Sequence, residues 1–445
     1  MAAAIFLSVL LAVAGFGSLV AASGWLAAKP LHATYLALAM IVLEASNLPL
    51  SINYGIWLYP ADLLFLILLL ACLGRFSLFV SPRMVPGTWW VIGAVQLVLL
   101  VWGYRMVGSR AGVDYRVHFY LWVSVCYFCS VDWTEAMVVR ALDRWIICAL
   151  ALCLLTFYRW IYSALDPVYA QEIMGYDTTG VKFRVVSSFA AHVIAVGFLI
   201  LMFRWINGSL PLIQRILLPV FLLTVIVLQH RSVWVSLLVG VVCLIWMAQL
   251  GGLRGLIGIG VLILPLAVFF SIPDDGNSVV ASIKTSAVTA VSTKDGTMVA
   301  RMGNWQELLV NWSMSKNPVT YLIGRPYGSG YNPSESEDGE DVLDMVPHNH
   351  FVHILYRGGL LALGATLVLF YQLAVAAIRL ARSGTKPSAP CMVGIFGAFL
   401  AYFIPYWATY GNGILIGIAI SYLGIRNLHA LRAPAAARKY QIRGA

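Results

Sequence analysis

The stretch Arg301–Ala362 reads RMGNWQELLVNW (301–312), KNPVTYLIGRPYGSGYNP (316–333), SESEDGEDVLD (334–344) and VPHNHFVHILYRGGLLA (346–362). It closes a long polar segment in a chain otherwise built of hydrophobic runs. Arginine, histidine and glycine concentrate in it, beside the point where the chain returns to apolar sequence. That contrast decides the fold class: spans that form a scaffold, and one polar segment that carries much of the chemistry.

Outward from this stretch, the 445 residues are 61% hydrophobic and 11% charged, too apolar for a soluble domain. Uncharged apolar runs of about 18 residues or more read as membrane-spanning helices. Backbone in lipid must satisfy its own hydrogen bonds, which selects helices. The expectation is an all-α, polytopic integral membrane protein with about 12–14 transmembrane helices and one long outward loop. The spans fall at about 4–24, 31–47, 58–74, 88–104, 117–131, 145–165, 186–203, 212–229, 233–249, 255–271, 349–378, 391–407 and 411–426. This divides the chain into N-terminal spans (1–271), a polar loop with short helices (272–348), C-terminal spans (349–430) and a basic tail (431–445). The opening MAAAIFLSVLLAVAGFGSLVAA imitates a signal peptide but lacks a basic start, so it is read as the first span.

The net charge of +10 is read loop by loop rather than as a nucleic-acid footprint. Lys29, Arg75, Arg83, Arg140, Arg144, Arg204, Arg215, Arg254, Arg379, Arg382, Lys386 and the basic tail fall in one alternating set of loops. That set is cytoplasmic by the positive-inside rule. The long loop then faces outward, with Arg105, Arg110 and Arg116 against the trend. Seven cysteines lie in or beside apolar runs and imply no disulfide framework. Cys126 and Cys129 form a CxxC without a second pair, which reads as core packing rather than a metal site.

Within the polar segment a helix fits Arg301–Met314, with Met302, Trp305, Leu308, Leu309 and Trp312 at three- and four-residue spacing and Asn317-Pro318 as its stop. Arg301 falls on that apolar stripe beside Trp305, while Asn304, Glu307 and Asn311 face away. A charge on a face meant for burial is costly unless paired or used, so Arg301 is a candidate site residue. The plain alternative is a snorkelling arginine at a helix end. GRPYGSGY (324–331), which holds Arg325, is rich in glycines that permit close backbone approach. The acidic run Glu335–Asp344 has the carboxylates to hold a hard cation, but a run of like charges reads first as a solvated loop, and as a lid. His348 follows Pro347, which suits a first helical turn. A histidine kept neutral there can serve as a general base. HxHxxH (His348, His350, His353) lacks a fourth ligand and a common helical face, so no metal is expected. Arg184, before a span, and Arg231, at a tight turn beside His230, are ionisable groups at the membrane edge. Such groups mark a site, an ion pair or a headgroup anchor. A guanidinium fork suits phosphate oxygens.

The order of His230-Arg231-Ser232, Arg301 with Trp305, a glycine-rich turn and then HNHFVHILYRGGLLAL resembles the O-antigen ligase and Wzy-type polymerase superfamily. The likeness covers roughly residues 180–425 and is strongest at 301–364; His348-Asn349 followed by Gly359 matches the family's spacing. Ala362 stands where the family often has a second glycine. The resemblance implies a GT-C-like, metal- and cofactor-independent, inverting glycosyltransferase at the outer face of the bacterial inner membrane. Its donor would be an undecaprenyl-diphosphate-linked oligosaccharide. On that reading Arg231 and Arg301, with Arg184, bind the diphosphate, and His348 takes the acceptor proton with Asn349 in support. Trp305, Arg325, His350 and Arg357 are further substrate contacts. Partners would be membrane lipid, a chain-length regulator and a flippase, with no nucleic acid. Polymerase is favoured over ligase on the HNHF and YRGGLLAL forms. A lipid-linked sugar transporter is the alternative of a different class, although the halves show no internal repeat.

Overall fold

The computed structural model describes residues 2–48, 50–53, 57–78, 85–166, 184–247, 297–331 and 347–425. The expected span at 255–271, residues 277–296, the acidic run, the tail and most of the 159–185 loop lie outside the described residues. The described chain folds into helices α1 (Ala2–Ala28), α2 (Pro30–Ala45), α3 (Pro60–Leu78), α4 (Gly87–Val107), α5 (Ser109–Cys129), α6 (Glu135–Leu165) and α7 (Ser188–Ile206). They are followed by α8 (Leu212–Val227), α9 (Arg231–Met247), α10 (Thr297–Ser313), α11 (Pro318–Ile323), α12 (His350–Ser383), α13 (Ala389–Tyr402) and α14 (Tyr410–Tyr422). The exception to helix is a two-stranded antiparallel ribbon, β1 (Ile52–Asn53) with β2 (Trp57–Leu58), that pairs Ile52 with Leu58. The fold is all-α.

Local sequence sets many helix starts. Ser187 caps α7 by accepting from the Ala190 N–H, Asn317 caps α11 ahead of Pro318, and Thr409 with Asn412 forms a capping box for α14. Among the described residues α4, α7 and α12 are each long and apolar enough to cross a membrane. The pair α1 and α2, bent by 111° around Lys29, makes a fourth if it counts as one span. Helices α8, α9 and α13 are apolar but have 16, 17 and 14 residues, short of the roughly 20 that a hydrocarbon core requires. By length alone the count is therefore smaller than the sequence suggested. Large apolar side chains stand exposed on the outer faces of α4 (Leu97, Val98, Val101), α9 (Val235, Leu238, Val242) and α12 (Leu360, Leu367, Val368).

Contacts at the helix ends show an up-and-down arrangement. At one end Arg75 of α3 donates to the Ala27 carbonyl of α1 at 2.6 Å and to Ser130 beyond α5 at 3.0 Å. There too Arg204 of α7 pairs with Asp143 of α6 at 2.6 Å, and Lys386 before α13 lies 4.8 Å over the Tyr422 ring of α14. These residues come from the loops read as one side of the membrane. At the other end Glu44 of α2 accepts from Tyr410 of α14 at 2.8 Å, and Arg184 donates to the Gln229 carbonyl between α8 and α9 at 3.1 Å. Arg116, against the charge trend, is neutralised there by Asp62 at 3.2 Å.

Helix α12 breaks at Gly359, where φ is 61° and ψ −165°. The break seats α11: a Cβ on Gly359 would lie 2.4 Å from the Leu322 carbonyl oxygen, and one on Gly324 (φ 85°) would lie 2.5 Å from the Gly358 nitrogen. Only glycine fits such a φ and such an approach. The Arg325 N–H donates to the Tyr356 carbonyl at 2.9 Å and completes the junction.

Candidate functional site

The second end of the bundle encloses a cavity of about 530 Å³. The starts of α7 (Ser187, Ser188) and the residue ahead of α12's cap (His348) face it, with Arg301 from α10 and Tyr406 from the α13–α14 link. Glu44 and Asn47 at the end of α2, Arg159 from α6 and the apolar Ile41, Ala45, Phe189 and Ala190 complete the lining. An adjoining cavity of about 390 Å³ shares Arg184, His230, Arg301 and Tyr406 with the first. Its remaining wall is Arg231 and Ser232, at the start of α9, together with Val235, Val239, Ala401, Ile404 and Pro405. The first chamber is mixed, with Ile41, Ala45, Phe189 and Ala190 beside its polar groups, the second is more apolar, and Arg184 and Arg301 border both.

Arg301 stands on that shared border. It donates to the Pro405 carbonyl at 3.4 Å and to the Tyr406 hydroxyl at 3.5 Å, both long bonds, and its guanidinium lies 4.9 Å from the Tyr406 ring centre. No carboxylate among the described residues pairs with it. Burial would raise the Tyr406 phenol, yet the charge and hydrogen bond of Arg301, with bonds from Ser188 and Ser232, bring it below its ordinary value. Arg184 donates to the Gln229 carbonyl and keeps its buried Nε without a partner among the described residues. His230 bonds the Val186 carbonyl at 2.9 Å through Nε2. Burial first, then the charges of Arg184 and Arg301, push its pKa down to about 3. The His348 ring stacks on Trp407 with centres 5.6 Å apart. Burial and the Arg301 charge hold it below the ordinary histidine value, so it is neutral at neutral pH.

Chemically the arrangement suits an anion. Guanidinium forks, two of them without a counter-charge among the described residues, sit with the N-termini of α7 and α9, whose free N–H groups also favour negative charge. Among the described residues no three His, Cys, Asp or Glu groups converge as metal ligands.

The structure thus gathers Arg184, Arg231, Arg301 and His348, four residues scattered through the sequence. It places the other candidates elsewhere. Asn349 caps α12, its Oδ1 accepting from Phe351 and Val352 N–H at 2.9 and 3.0 Å, so His348 lies outside the helix rather than in its first turn. His350 is buried and accepts from the Ala408 N–H at 3.2 Å. Arg325 donates to the Asn311 carbonyl at 3.2 Å and lies over the Tyr356 ring. Arg357, 2% exposed, pairs with Asp114 at 2.7 Å and donates to the Pro326 carbonyl at 2.6 Å, to Ser329 at 2.9 Å and to the Gly330 carbonyl at 3.3 Å. It clamps the glycine-rich turn onto α5 and α12. His353 bonds the Tyr331 hydroxyl at 2.8 Å in the same region. Trp305 is half-buried and lines neither cavity.

Helix α10 also turns a different face inward from the one its apolar spacing suggested. Arg301, Asn304, Trp305, Leu308, Asn311 and Trp312 are buried or half-buried, whereas Met302 and Leu309 are exposed. Leu308 packs on Tyr331 and Tyr356, and Arg301 reaches Tyr406; together these contacts set the rotation. Sequence reasoning passed over Glu44, Arg159 and Tyr406. For the first two the signal was present: a carboxylate in IVLEASN and an arginine in TFYRWIY, each an ionisable group in apolar surroundings. Tyr406 gave none. Compared with models of protein families and with curated proteins, the chain matches neither a family model nor a curated sequence.

Proposed function

We propose that this chain is a polytopic membrane glycosyltransferase of the GT-C kind that transfers a lipid-diphosphate-linked glycan to a sugar acceptor, most simply as a polysaccharide polymerase. One observation carries the reading: a more apolar chamber and one of mixed lining adjoin at Arg184 and Arg301, with Arg231 beside them. A polyprenyl-diphosphate glycan also has three parts in order, an apolar tail, a dianionic joint and a hydroxyl-rich head. Val235, Val239 and Ile404 suit the tail; Arg184, Arg231 and Arg301 suit the diphosphate; the chamber facing His348 suits the sugars.

In this reaction the acceptor hydroxyl attacks the anomeric carbon and the bond from that carbon to the diphosphate oxygen breaks. Neutral His348 takes the hydroxyl proton. The departing lipid diphosphate keeps its negative charge on the arginines, which stabilise the charge that develops there. Single displacement inverts the anomeric centre. The arginine wall faces outward in the topology that the positive-inside rule gives, so the reaction belongs to the outer face of the bacterial inner membrane.

The test is mass spectrometry of undecaprenyl-diphosphate-linked glycans in a strain that lacks the protein. Accumulated single repeat units support a polymerase. Long chains held on the carrier support transfer to a different final acceptor, as in a ligase. An unchanged carrier pool overturns glycan transfer. Complementation with Arg301→Ala or His348→Ala should leave the defect in place while the protein still reaches the membrane, and near-normal product from either variant would remove that residue from the mechanism.

A further inference from the structure

We propose that Glu44 binds the acceptor sugar, its carboxylate accepting a hydrogen bond from a ring hydroxyl while the donor diphosphate occupies the arginine wall. The proposal rests on the glycan-transfer reading above and adds to it the second substrate's subsite. Among the described residues Glu44 is the sole carboxylate lining the first cavity, where Arg159, Arg184 and Arg301 are also found. A carboxylate among guanidinium groups ordinarily pairs with one. Here no ion pair joins Glu44 to any of them among the described residues. Its partner is neutral: the Tyr410 hydroxyl donates to Oε2 at 2.8 Å.

That tyrosine is itself held fast. Its ring lies 4.9 Å from Phe65 and 6.3 Å from Tyr120, and its carbonyl accepts from Ser124 at 3.0 Å. Glu44 is therefore fixed through one oxygen at the wall of the cavity it lines. The chain supports the placement locally: α2 ends at Ala45, and Asn47, with φ 54°, turns it back along the cavity wall.

Position separates the two substrates. Arg184, His230, Arg301 and Tyr406 border both chambers, whereas Glu44, Asn47 and Arg159 line only the first. Glu44 thus sits on the side away from the more apolar chamber. A diphosphate is attracted to the shared arginines, whereas a hydroxyl donating to a carboxylate makes a charge-assisted bond.

The experiment uses the full chain in proteoliposomes. The donor is the undecaprenyl-diphosphate-linked repeat unit isolated from the deletion strain, and the acceptor is the same oligosaccharide released from its lipid. Glu44→Gln keeps the shape and removes the charge. It should raise the acceptor KM roughly ten- to a hundredfold, the loss of a hydrogen bond to a charged group, with a smaller change in kcat. Affinity for undecaprenyl diphosphate alone should stay within about twofold of wild type. Tyr410→Phe, which frees the carboxylate, should shift the acceptor KM in the same direction by less, and it carries the test if Glu44→Gln fails to fold. An unchanged acceptor KM overturns the proposal. So does tighter undecaprenyl diphosphate binding with no acceptor effect, the mark of a carboxylate that only balances charge. If wild type binds undecaprenyl diphosphate yet transfers nothing, the glycan-transfer reading fails and takes this one with it. If wild type transfers and Glu44→Gln matches its acceptor KM, only the assignment of Glu44 fails.

Discussion

Replacing Asp114 with alanine should destabilise the protein more than any other single change at its surface-facing carboxylates. Arg357 is 2% exposed, and Asp114, at 2.7 Å, is its sole carboxylate partner among the described residues. The remaining contacts are uncharged: the Pro326 carbonyl, the Ser329 hydroxyl, the Gly330 carbonyl and the rings of Tyr327, Tyr331 and Tyr356. Asp114 also accepts from the Gly328 N–H at 2.8 Å, so the alanine variant strands one buried cation and one backbone donor together. Breaking a buried pair by removing one partner costs about 3–5 kcal/mol, because the surviving charge is left uncompensated. Removing both charges in Asp114→Leu with Arg357→Met should recover much of that loss, and the double-mutant cycle should show a coupling of at least about 1 kcal/mol. The protein supplies its own reporter. All seven cysteines are free and six are buried, so a thiol-reactive dye reads exposure of the core during unfolding in detergent. An Asp114→Ala variant within about 1 kcal/mol of wild type would refute the reasoning, since it would mean the Arg357 charge is solvated by other means.

Three further outcomes are expected. His230 has a folded pKa of about 3 against about 6.5 unfolded, so the folded state takes up its proton later than the unfolded state does. Its neutral form contributes stability that is present above about pH 6.5 and is lost as pH falls toward 3. His230→Gln should flatten the acid limb of a stability–pH curve by up to one proton, and an unchanged slope would count against a buried neutral imidazole. Gly359→Ala combines a left-handed φ with a 2.4 Å approach to the Leu322 carbonyl oxygen and should cost several kcal/mol, whereas Gly364→Ala, which meets nothing within 4 Å, should cost almost nothing; thermal scans of the pair check this. Chelation should leave glycan transfer intact, because guanidinium groups take the charge-neutralising part a divalent cation plays in other transferases. A loss restored by added divalent cation would point instead to the acidic residues from Glu335 to Asp344.

What the sequence revealed, it revealed through cost. Arg184, Arg231, Arg301 and His348 stood out because ionisable groups at the edge of apolar runs need a reason, and the fold brings all four to adjoining cavities. The same logic reached Arg325, His350 and Arg357 but could not tell their task. An arginine that clamps a loop and one that faces a ligand look alike until the opposing residue is known, and for Arg357 that residue is Asp114, from a different helix. The rotation of α10 was hidden for a similar reason. Apolar spacing favoured burying Met302 and Leu309, but contacts with Tyr406 and with Tyr331 and Tyr356 turn Asn304 and Asn311 inward. Helix starts at Ser187 and Asn317 followed directly from capping side chains, because those interactions are local.

The junction of α11 with the break in α12 has a bearing on engineering. Gly324 packs closely on the Gly358–Gly359 backbone, Arg325 bonds Tyr356, and Tyr331 bonds His353, so the described residues that flank 332–346 are tied to one another. A segment whose ends are already joined can be lengthened at small entropic expense, about 0.6 kcal/mol for each doubling. An epitope spliced between Asn332 and Val346 would therefore leave the bundle intact, and antibody access in whole cells against opened cells would report the side on which the arginine wall is displayed.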